Sequence, residues 1–355
     1  MKNKIKVVLV LLAFVLLGSV IVVNSSKLAI AQTETTVHKW KMQSFQVPSE
    51  LEHSISFARF CEMVDKNTKG QVKITLYPVG AITGAAELMA ATRDGVLEAS
   101  IWSVGYGQGA IPLLAVIDGL PFSFRDGREL AEILWDFGLS ELSRDAYAKY
   151  GVHLLGHHTQ STCGLGLLAT KPVRTLADLK GLKIRSHGSF VEFWRRLGCS
   201  TLSFPLAEGY MSLSTGVVEG ITTDWGGHVF FKFAEVAKYG LLPSMIGATG
   251  GHFIVNPKAW ASLSEDLKFI VSITWRDWAA WAERYFHPYL RYSHEKVVKD
   301  LQDKGVKFTT LSEADQAKML EVAMKMWDDV AAKDPLSAKG VDIVKNYYKK
   351  IGRIK

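Results

Sequence analysis

Cysteine is scarce in this sequence, and net charge is small outside its N-terminus. The three cysteines, Cys61, Cys163 and Cys199, lie far apart, which excludes a disulfide-rich scaffold and argues against a zinc site. They allow at most one disulfide, and we expect three buried small side chains. The formal net charge is +7, but four lysines and no acidic residue lie before residue 32, so the rest of the chain has a net charge of only +3. So weak and scattered a charge argues against nucleic-acid binding.

Long apolar runs are missing after the first 23 residues. Met1–Lys6 is basic, Val7–Val23 is apolar and uncharged, and Ala29-Ile30-Ala31 fits the small-residue site of a signal peptidase. This pattern predicts an export signal over residues 1–31, cleaved after Ala31, and a mature chain outside the cytoplasmic membrane. The alternative is an uncleaved anchor, because an apolar run of 17 residues lies at the lower limit of a bilayer span.

Signatures of catalysis are also missing. The histidines at 153, 157 and 158 cluster without the spacing or carboxylates of a zinc enzyme, and no G-x-S-x-G motif occurs. Gly105, Gly107 and Gly109 are not followed by the Lys-Ser/Thr pair of a phosphate loop. We therefore expect no enzymatic activity, either polar packing or hydrogen bonding in the cleft for most histidines, and a ligand-facing loop at the glycines.

What the sequence does contain is enough apolar material for a large α/β core. Of its 355 residues 48% are hydrophobic, including 10 Trp and 17 Phe, which suits about two domains. Residues 72–77 and 97–102 have strand patterns, and helical patterns precede and separate them. A long helix is predicted after Ser262-Leu263-Ser264-Glu265, which reads as a capping box, because its apolar residues then recur every three or four positions. Its tryptophans 275, 278 and 281 indicate core or a dimer face.

Two motifs resemble one protein family. Asp178–Arg185 reads D-L-K-G-L-K-I-R, and Phe204–Gly220 contains a proline followed by E-x-Y-x-x-L-x-x-G-x-x-E-G. Both are similar to segments of the periplasmic solute-binding subunits of TRAP transporters, the DctP-like family. Tyr77–Gly80 and Pro121-Phe122 also match, and the resemblance covers nearly the whole mature chain.

The resemblance implies a two-domain α/β clamshell of the periplasmic-binding-protein type, with the long helix spanning both lobes. We expect lobe I at 32–157 plus about 250–280, lobe II at 158–249 plus about 281–335, and a C-terminal helix at 336–355. The implied function is capture of a small organic carboxylate in the interlobe cleft and its delivery to TRAP permease subunits. The alternatives are a receptor of an ABC importer and an exported hydrolase.

Arg185 is the expected carboxylate anchor, because it occupies the family's substrate-binding arginine. A planar guanidinium offers two parallel donors to a carboxylate, which lysine cannot do. The alternative is a protein ion pair. The other expected ligand-binding residues are Trp225, Gln160, Phe204, Tyr106 and Gln43. The aromatic content favours a hydrophobic or aromatic monocarboxylate over a sugar acid.

Asp224 and Trp225 resemble the acidic-Trp pair of the branch that binds 2-oxo and 2-hydroxy acids. In that branch the acid, the Trp carbonyl and a Gln hold a cation that bridges to the substrate. Gln160, the nearest candidate, lies a few residues early. A sodium or calcium ion is therefore the candidate cofactor, with a helix N-cap as the alternative role of Asp224 and an apolar cleft wall as that of Trp225. A homodimer is the candidate assembly.

Overall fold

The computed structural model describes residues 36–117, 119–161, 164–246, 249–291 and 294–354. Side chains are described for these residues except at 52, 159–161, 249–250, 287–291 and 294. The expected export signal at 1–31 and Cys163 lie outside the described residues. Contacts cluster within His38–Lys355, the unit to which the following description applies. None of the helices in the described ranges combines the length with the apolar character needed for a bilayer crossing.

A first sheet has five strands in the order β2-β1-β3-β10-β4. β1 is parallel to both β2 and β3, whereas β10 is antiparallel to both β3 and β4. The strands predicted at 72–77 and 97–102 are confirmed, the second as the fully buried β3. The bounds are β1 His38–Ser44, β2 Val72–Tyr77, β3 Ala99–Ser103, β4 His153–Ser161 and β10 Thr249–Val255.

A second sheet has six strands in the order β11-β9-β5-β8-β6-β7. β6 is parallel to β7 and β8, and the central β5 is antiparallel to β8 and β9. Every residue of β5 is buried, as expected of a strand covered on both faces. The bounds are β5 Leu165–Ala169, β6 Lys183–Arg185, β7 Ser200–Leu202, β8 Gly220–Asp224, β9 Tyr239–Ile246 and β11 Lys307–Thr310.

Helices cover both sheets, so the predicted α/β class is confirmed. The α-helices are α1 Ala58–Asn67, α2 Leu88–Arg93, α3 Leu114–Ile117, α4 Gly127–Trp135, α5 Leu139–Tyr150, α6 Ser189–Arg196, α7 Gly209–Ser214, α8 Trp225–Phe230, α9 Pro257–Ala261, α10 Glu265–Trp281, α11 His294–Asp303, α12 Glu313–Ala331 and α13 Pro335–Lys350. Two segments, Glu52–Phe57 before α1 and Ala282–Arg291 after α10, are π-helical.

The predicted long helix is α10, which continues as the π-helical segment. Its buried residues Val271, Trp275 and Trp278 pack in the core under the first sheet. Beyond residues 292–293, Val297 and Leu301 of α11 pack in a core of the second sheet. The tryptophans at 275 and 278 are therefore core residues, and consecutive helical segments contact both sheets.

The capping box predicted at Ser262 and Glu265 is wrong by two residues. Ser264 caps α10, because its hydroxyl accepts a hydrogen bond from the Leu267 N–H at 3.3 Å. The Ser262 hydroxyl instead donates to the Ala259 carbonyl at the end of α9. The short α9 ends at Ala261 and the long α10 begins at Glu265, so Ser262 lies at the end of the first helix and Ser264 at the start of the second.

Cys61 and Cys199 are free and buried, as predicted for small apolar side chains. Burial raises the pKa of each thiol to about 12, which keeps both protonated and unreactive at neutral pH.

Candidate functional site

A cavity of about 400 Å³ lies at the carboxyl ends of strands from both sheets. Phe45, Val79 and Ser103 lie at or just after the ends of β1, β2 and β3, and Arg185 and Asp224 end β6 and β8. Ligands of open α/β sheets bind at such strand ends. The remaining lining residues are Val47, Glu50, Leu51, Gly84, Ala85, Tyr106, Leu165, His187, Pro205, Leu206, Ala207, Thr223, Gly226, Gly227, Phe230 and Phe231.

Arg185 contributes a buried guanidinium to this cavity. The residue is 3% exposed. Its Nε and Nη2 donate to the Phe204 carbonyl at 2.9 and 2.8 Å, and Nη1 donates to the Thr222 carbonyl at 3.4 Å. No carboxylate within the described ranges lies within ion-pairing distance of it. Burial lowers its pKa to about 10, so the group stays positively charged at neutral pH.

The carbonyl bonds orient the guanidinium without neutralising it. A buried cation needs a compensating charge or a dense set of acceptors. Two carbonyls use three of its five N–H groups, which leaves donors for an incoming anion. The arrangement can therefore bind a carboxylate that enters the cavity.

His187 is a cavity residue to which the sequence analysis gave no specific role. It follows Arg185 by two positions, and the Ser186 N–H still bonds the Leu202 carbonyl of β7, so the backbone remains extended. Side chains two apart on extended backbone share a face, a signal that was available in the sequence. Gly188 then turns the chain into α6 with a φ of 54°, a conformation that favours glycine.

Asp224 lines the cavity and also caps a helix. Its Oδ1 accepts a hydrogen bond from the Gly227 N–H at 2.9 Å at the start of α8, which matches the alternative role expected for it. Across the described ranges, no set of three or more His, Cys, Asp or Glu side chains is grouped as metal ligands usually are. Gln160, the glutamine expected to share the cation with Asp224, is the penultimate residue of β4, and its side chain is outside those described.

The expectation that the Trp225 ring forms a cavity wall is wrong. The ring is fully buried in the core of the second sheet, 5.3 Å from Phe308, and its Nε1 donates to the Ser244 hydroxyl at 2.9 Å. Gly166 makes this possible, because a Cβ there would lie 1.9 Å from the indole. The aromatic side chain turns inward while the neighbouring Asp224 faces the cavity.

Gln43 does not line the cavity either, although we expected it to contact ligand. Its amide is buried, donates to the Thr83 carbonyl at 2.7 Å, and accepts from the N–H groups of Ile82 and Thr83 at 2.9 and 3.1 Å. The side chain thus holds the loop that supplies Gly84 and Ala85 to the cavity.

Tyr106 and Phe204 differ in how they contribute. Tyr106 lines the cavity from the glycine-containing loop after β3 and is 38% exposed. Phe204 contributes its carbonyl to Arg185 and its ring lies 5.9 Å from the guanidinium, but the residue is not among those that line the cavity.

Comparisons with known proteins identify the family. Residues 45–334 match the family model described as bacterial extracellular solute-binding protein, family 7. The 2,3-diketo-L-gulonate-binding periplasmic protein YiaO of Escherichia coli is 22% identical over 299 residues, which cover 82% of this chain and 86% of that protein.

Solved structures share the fold. A TRAP periplasmic solute-binding protein from Pseudoalteromonas atlantica, with bound sodium and pyruvate, has a TM-score of 0.79 at 22% identity, covering 89% of this chain and 95% of that one. A TRAP solute-binding protein from Bordetella bronchiseptica, a mixed-occupancy dimer with calcium and picolinate, has a TM-score of 0.77 at 20% identity, covering 89% and 93%. The two-sheet architecture is therefore that of the two-domain periplasmic binding proteins, and the chain belongs to family 7 of the bacterial extracellular solute-binding proteins, which are TRAP-transporter receptors and not enzymes.

Proposed function

We propose that this receptor binds a small organic monocarboxylate in the cavity and that Arg185 anchors the carboxylate. The observation that carries the proposal is a buried guanidinium that lines the cavity and has no carboxylate partner in the described part of the chain. The family match favours a TRAP receptor over an ABC-importer receptor and over an exported hydrolase. The partners would be the organic anion and TRAP permease subunits.

The cavity lining supports a ligand with one negative charge and an apolar body. Arg185 is the one Arg or Lys among the described residues that line it, beside the acids Glu50 and Asp224. Apolar side chains dominate the remainder, including Phe45, Tyr106 and Phe230, Phe231 and Leu206. A dicarboxylate would leave its second charge without a cationic partner.

We further propose that binding closes two lobes around the ligand. Lobe I would comprise residues 32–157 plus about 250–280, and lobe II 158–249 plus about 281–335. The C-terminal helix expected at 336–355 is α13, which ends at Lys350. This proposal is supported by the cavity lining, which includes residues from both sheets. A ligand that contacts both sets of residues at once favours the closed state, because only that state brings both lobes against it.

Arg185→Ala tests the anchor directly. A thermal-shift screen of organic acids identifies a ligand, since one at 100 times its dissociation constant adds about 2.7 kcal/mol of stability. Because removing one partner of a buried charge pair costs roughly 2 to 5 kcal/mol, Arg185→Ala should weaken binding about 30-fold or more in calorimetry. Arg185→Lys should recover only part of the lost affinity, because lysine keeps the charge but lacks the planar guanidinium with its two parallel donors.

Arg195→Ala is the matched control, because this exposed arginine pairs with Glu192 on the surface of α6. It should bind like the wild type. Wild-type affinity in Arg185→Ala would remove the anchor, and a much lower melting temperature of that variant without ligand would make Arg185 a structural residue.

A sodium or calcium ion that bridges to the ligand is proposed with Asp224 and the Trp225 carbonyl as protein ligands. Calcium and sodium occur in the two related structures. The fit is partial, because calcium takes about 6 to 8 oxygen ligands and one Asp224 oxygen already caps α8. The ligand and water would have to supply the remaining oxygens.

Asp224→Asn separates the two roles of this side chain. Asparagine caps helices about as well as aspartate, so the melting temperature should hold. A cation-dependent site should lose affinity in the variant and, equally, in wild-type protein deprived of the ion, by a chelator for calcium or by sodium-free buffer for sodium. Unchanged affinity in both would leave Asp224 as a cap only.

For location we propose export to the periplasm with cleavage after Ala31, in keeping with the family. Intact-mass analysis of the exported protein should give a chain that begins at Gln32. An unprocessed chain retained with membranes would support the anchor instead. A homodimer is proposed from the dimeric relative, and light scattering would test it.

A further inference from the structure

His187 is a polar cavity residue that a carboxylate anchor alone leaves unexplained. It follows Arg185 by two positions on extended backbone, so both side chains lie on the cavity side of the chain. Ser186 between them is fully buried. Because His187 lies next to Arg185, it is placed to contact the ligand atoms adjacent to the carboxylate that Arg185 binds.

The imidazole has hydrogen-bonding capacity that the protein does not use. Its Nδ1 is buried and has no hydrogen-bond partner among the residues that the structure describes. Burial, with the positive charge of Arg185, lowers the pKa of His187 to about 3, so the ring is neutral at pH 7. A neutral imidazole offers one donor and one acceptor nitrogen. Because buried polar atoms seldom stay unpaired, the ligand is the natural partner.

We propose that His187 determines ligand specificity by hydrogen-bonding a second, uncharged polar group located next to the carboxylate that Arg185 binds. The inference rests on the proposed function of Arg185. The ligand class is then a monocarboxylate with a hydroxyl, oxo or N–H group on the adjacent carbon. A second carboxylate is excluded from this position, because the neutral ring cannot compensate its charge and the negative charge of Asp224 acts on the same ring.

The test compares acids that share a carbon skeleton. Calorimetry measures binding of 4-methylpentanoate and its 2-hydroxy and 2-oxo derivatives, and of 3-phenylpropionate, 3-phenyllactate and phenylpyruvate. The wild type should bind a substituted acid about tenfold or more tightly than its unsubstituted parent, because a site built to pair with a polar group rejects an analogue that lacks it.

His187→Leu should remove most of that preference while leaving affinity for the unsubstituted parent within about threefold. His187→Gln keeps a donor and an acceptor and should retain part of it. His153→Leu is the matched control, because His153 stacks on Trp260 and does not line the cavity. The control should keep the wild-type ratio of affinities. If His187→Leu does not fold, the ratio in His187→Gln must still fall below that of the wild type.

The outcomes distinguish the two proposals. A wild type without preference, or a His187→Leu variant that keeps it, overturns the role of His187 alone, provided that Arg185→Ala still weakens binding of every acid about 30-fold or more. If none of the six acids binds, or if Arg185→Ala binds as well as the wild type, the proposed function fails and the specificity role fails with it.

Discussion

At the residue scale, the buried amide of Gln43 affects the cavity without lining it. The Gln43 side chain reaches neither the cavity nor solvent, and its amide makes three hydrogen bonds to the backbone of Ile82 and Thr83. The adjoining Gly84 and Ala85 belong to the cavity lining. The glutamine therefore acts on the ligand only through the position of this loop.

Gln43→Met should lower both stability and affinity. The substitution leaves the N–H groups of Ile82 and Thr83 and the Thr83 carbonyl without a hydrogen-bond partner. We expect this to lower the free energy of unfolding by about 2 kcal/mol. Urea unfolding and calorimetry with the acid found by screening measure the two effects. Lys39→Gln, an exposed change on the same strand, should alter neither. Full affinity in Gln43→Met would show that the loop keeps its position without the amide.

At the scale of elements, the start of α10 shows how competing caps are resolved. Ser262 and Ser264 both precede acidic residues, but the Ser264 hydroxyl accepts from the Leu267 N–H whereas Ser262 donates to the Ala259 carbonyl. Only the first of these contacts satisfies a free N–H of α10.

Ser264→Ala should lower the free energy of unfolding by about 1 kcal/mol, the usual effect of losing an N-cap. Ser262→Ala should cost clearly less, because the hydroxyl lost there contacts His38 Nδ1 at 3.3 Å and the Ala259 carbonyl but satisfies no free N–H of α10. Urea unfolding of both variants decides between them. The reverse order of stabilities would restore Ser262 as the cap.

At the scale of the whole molecule, several histidines are buried in their neutral form. His157 Nδ1 lies 2.9 Å from His252 Nε2, and His252 Nδ1 lies 2.7 Å from the Tyr147 hydroxyl. His228 of α8 lies with its Nε2 3.1 Å from the Gly166 carbonyl of β5, within hydrogen-bond distance. Burial lowers the pKa of His157 to about 3 and that of His228 to about 4, and it lowers the pKa of His252 well below its ordinary value. These histidines serve packing, as expected.

Stability should therefore fall as the pH drops below 6.5. The unfolded chain binds protons on histidine near pH 6.5, whereas the folded chain does so only near its lowered pKa values, so each buried histidine disfavours the folded state by about 1 kcal/mol at pH 5.5. Above pH 7 this contribution is constant. Urea unfolding at pH 5.5, 7 and 8 should show that the free energy of unfolding is the same at pH 7 and 8 and lower at pH 5.5. In His157→Gln the decrease between pH 7 and 5.5 should be smaller by about 1 kcal/mol. Equal stability at pH 5.5 and 7 would contradict it.

The sequence by itself determined the features that depend on neighbouring residues. Strand alternation predicted β2 and β3, and the two motifs at Asp178–Arg185 and Phe204–Gly220 predicted the family. The helical repeat after residue 265 predicted α10. Each is a local pattern, so no knowledge of distant contacts was needed.

Only the tertiary structure decided which side chains face the cavity. The Trp225 side chain turns into the core because Gly166 of β5 leaves room for its ring. The Gln43 amide is hydrogen-bonded to a loop about forty positions later in the sequence, so it does not reach the cavity. His187 lines the cavity because β6 ends there beside β8. Burial and hydrogen-bond partners come from residues that are distant in sequence, and those pairings exist only once both sheets have packed.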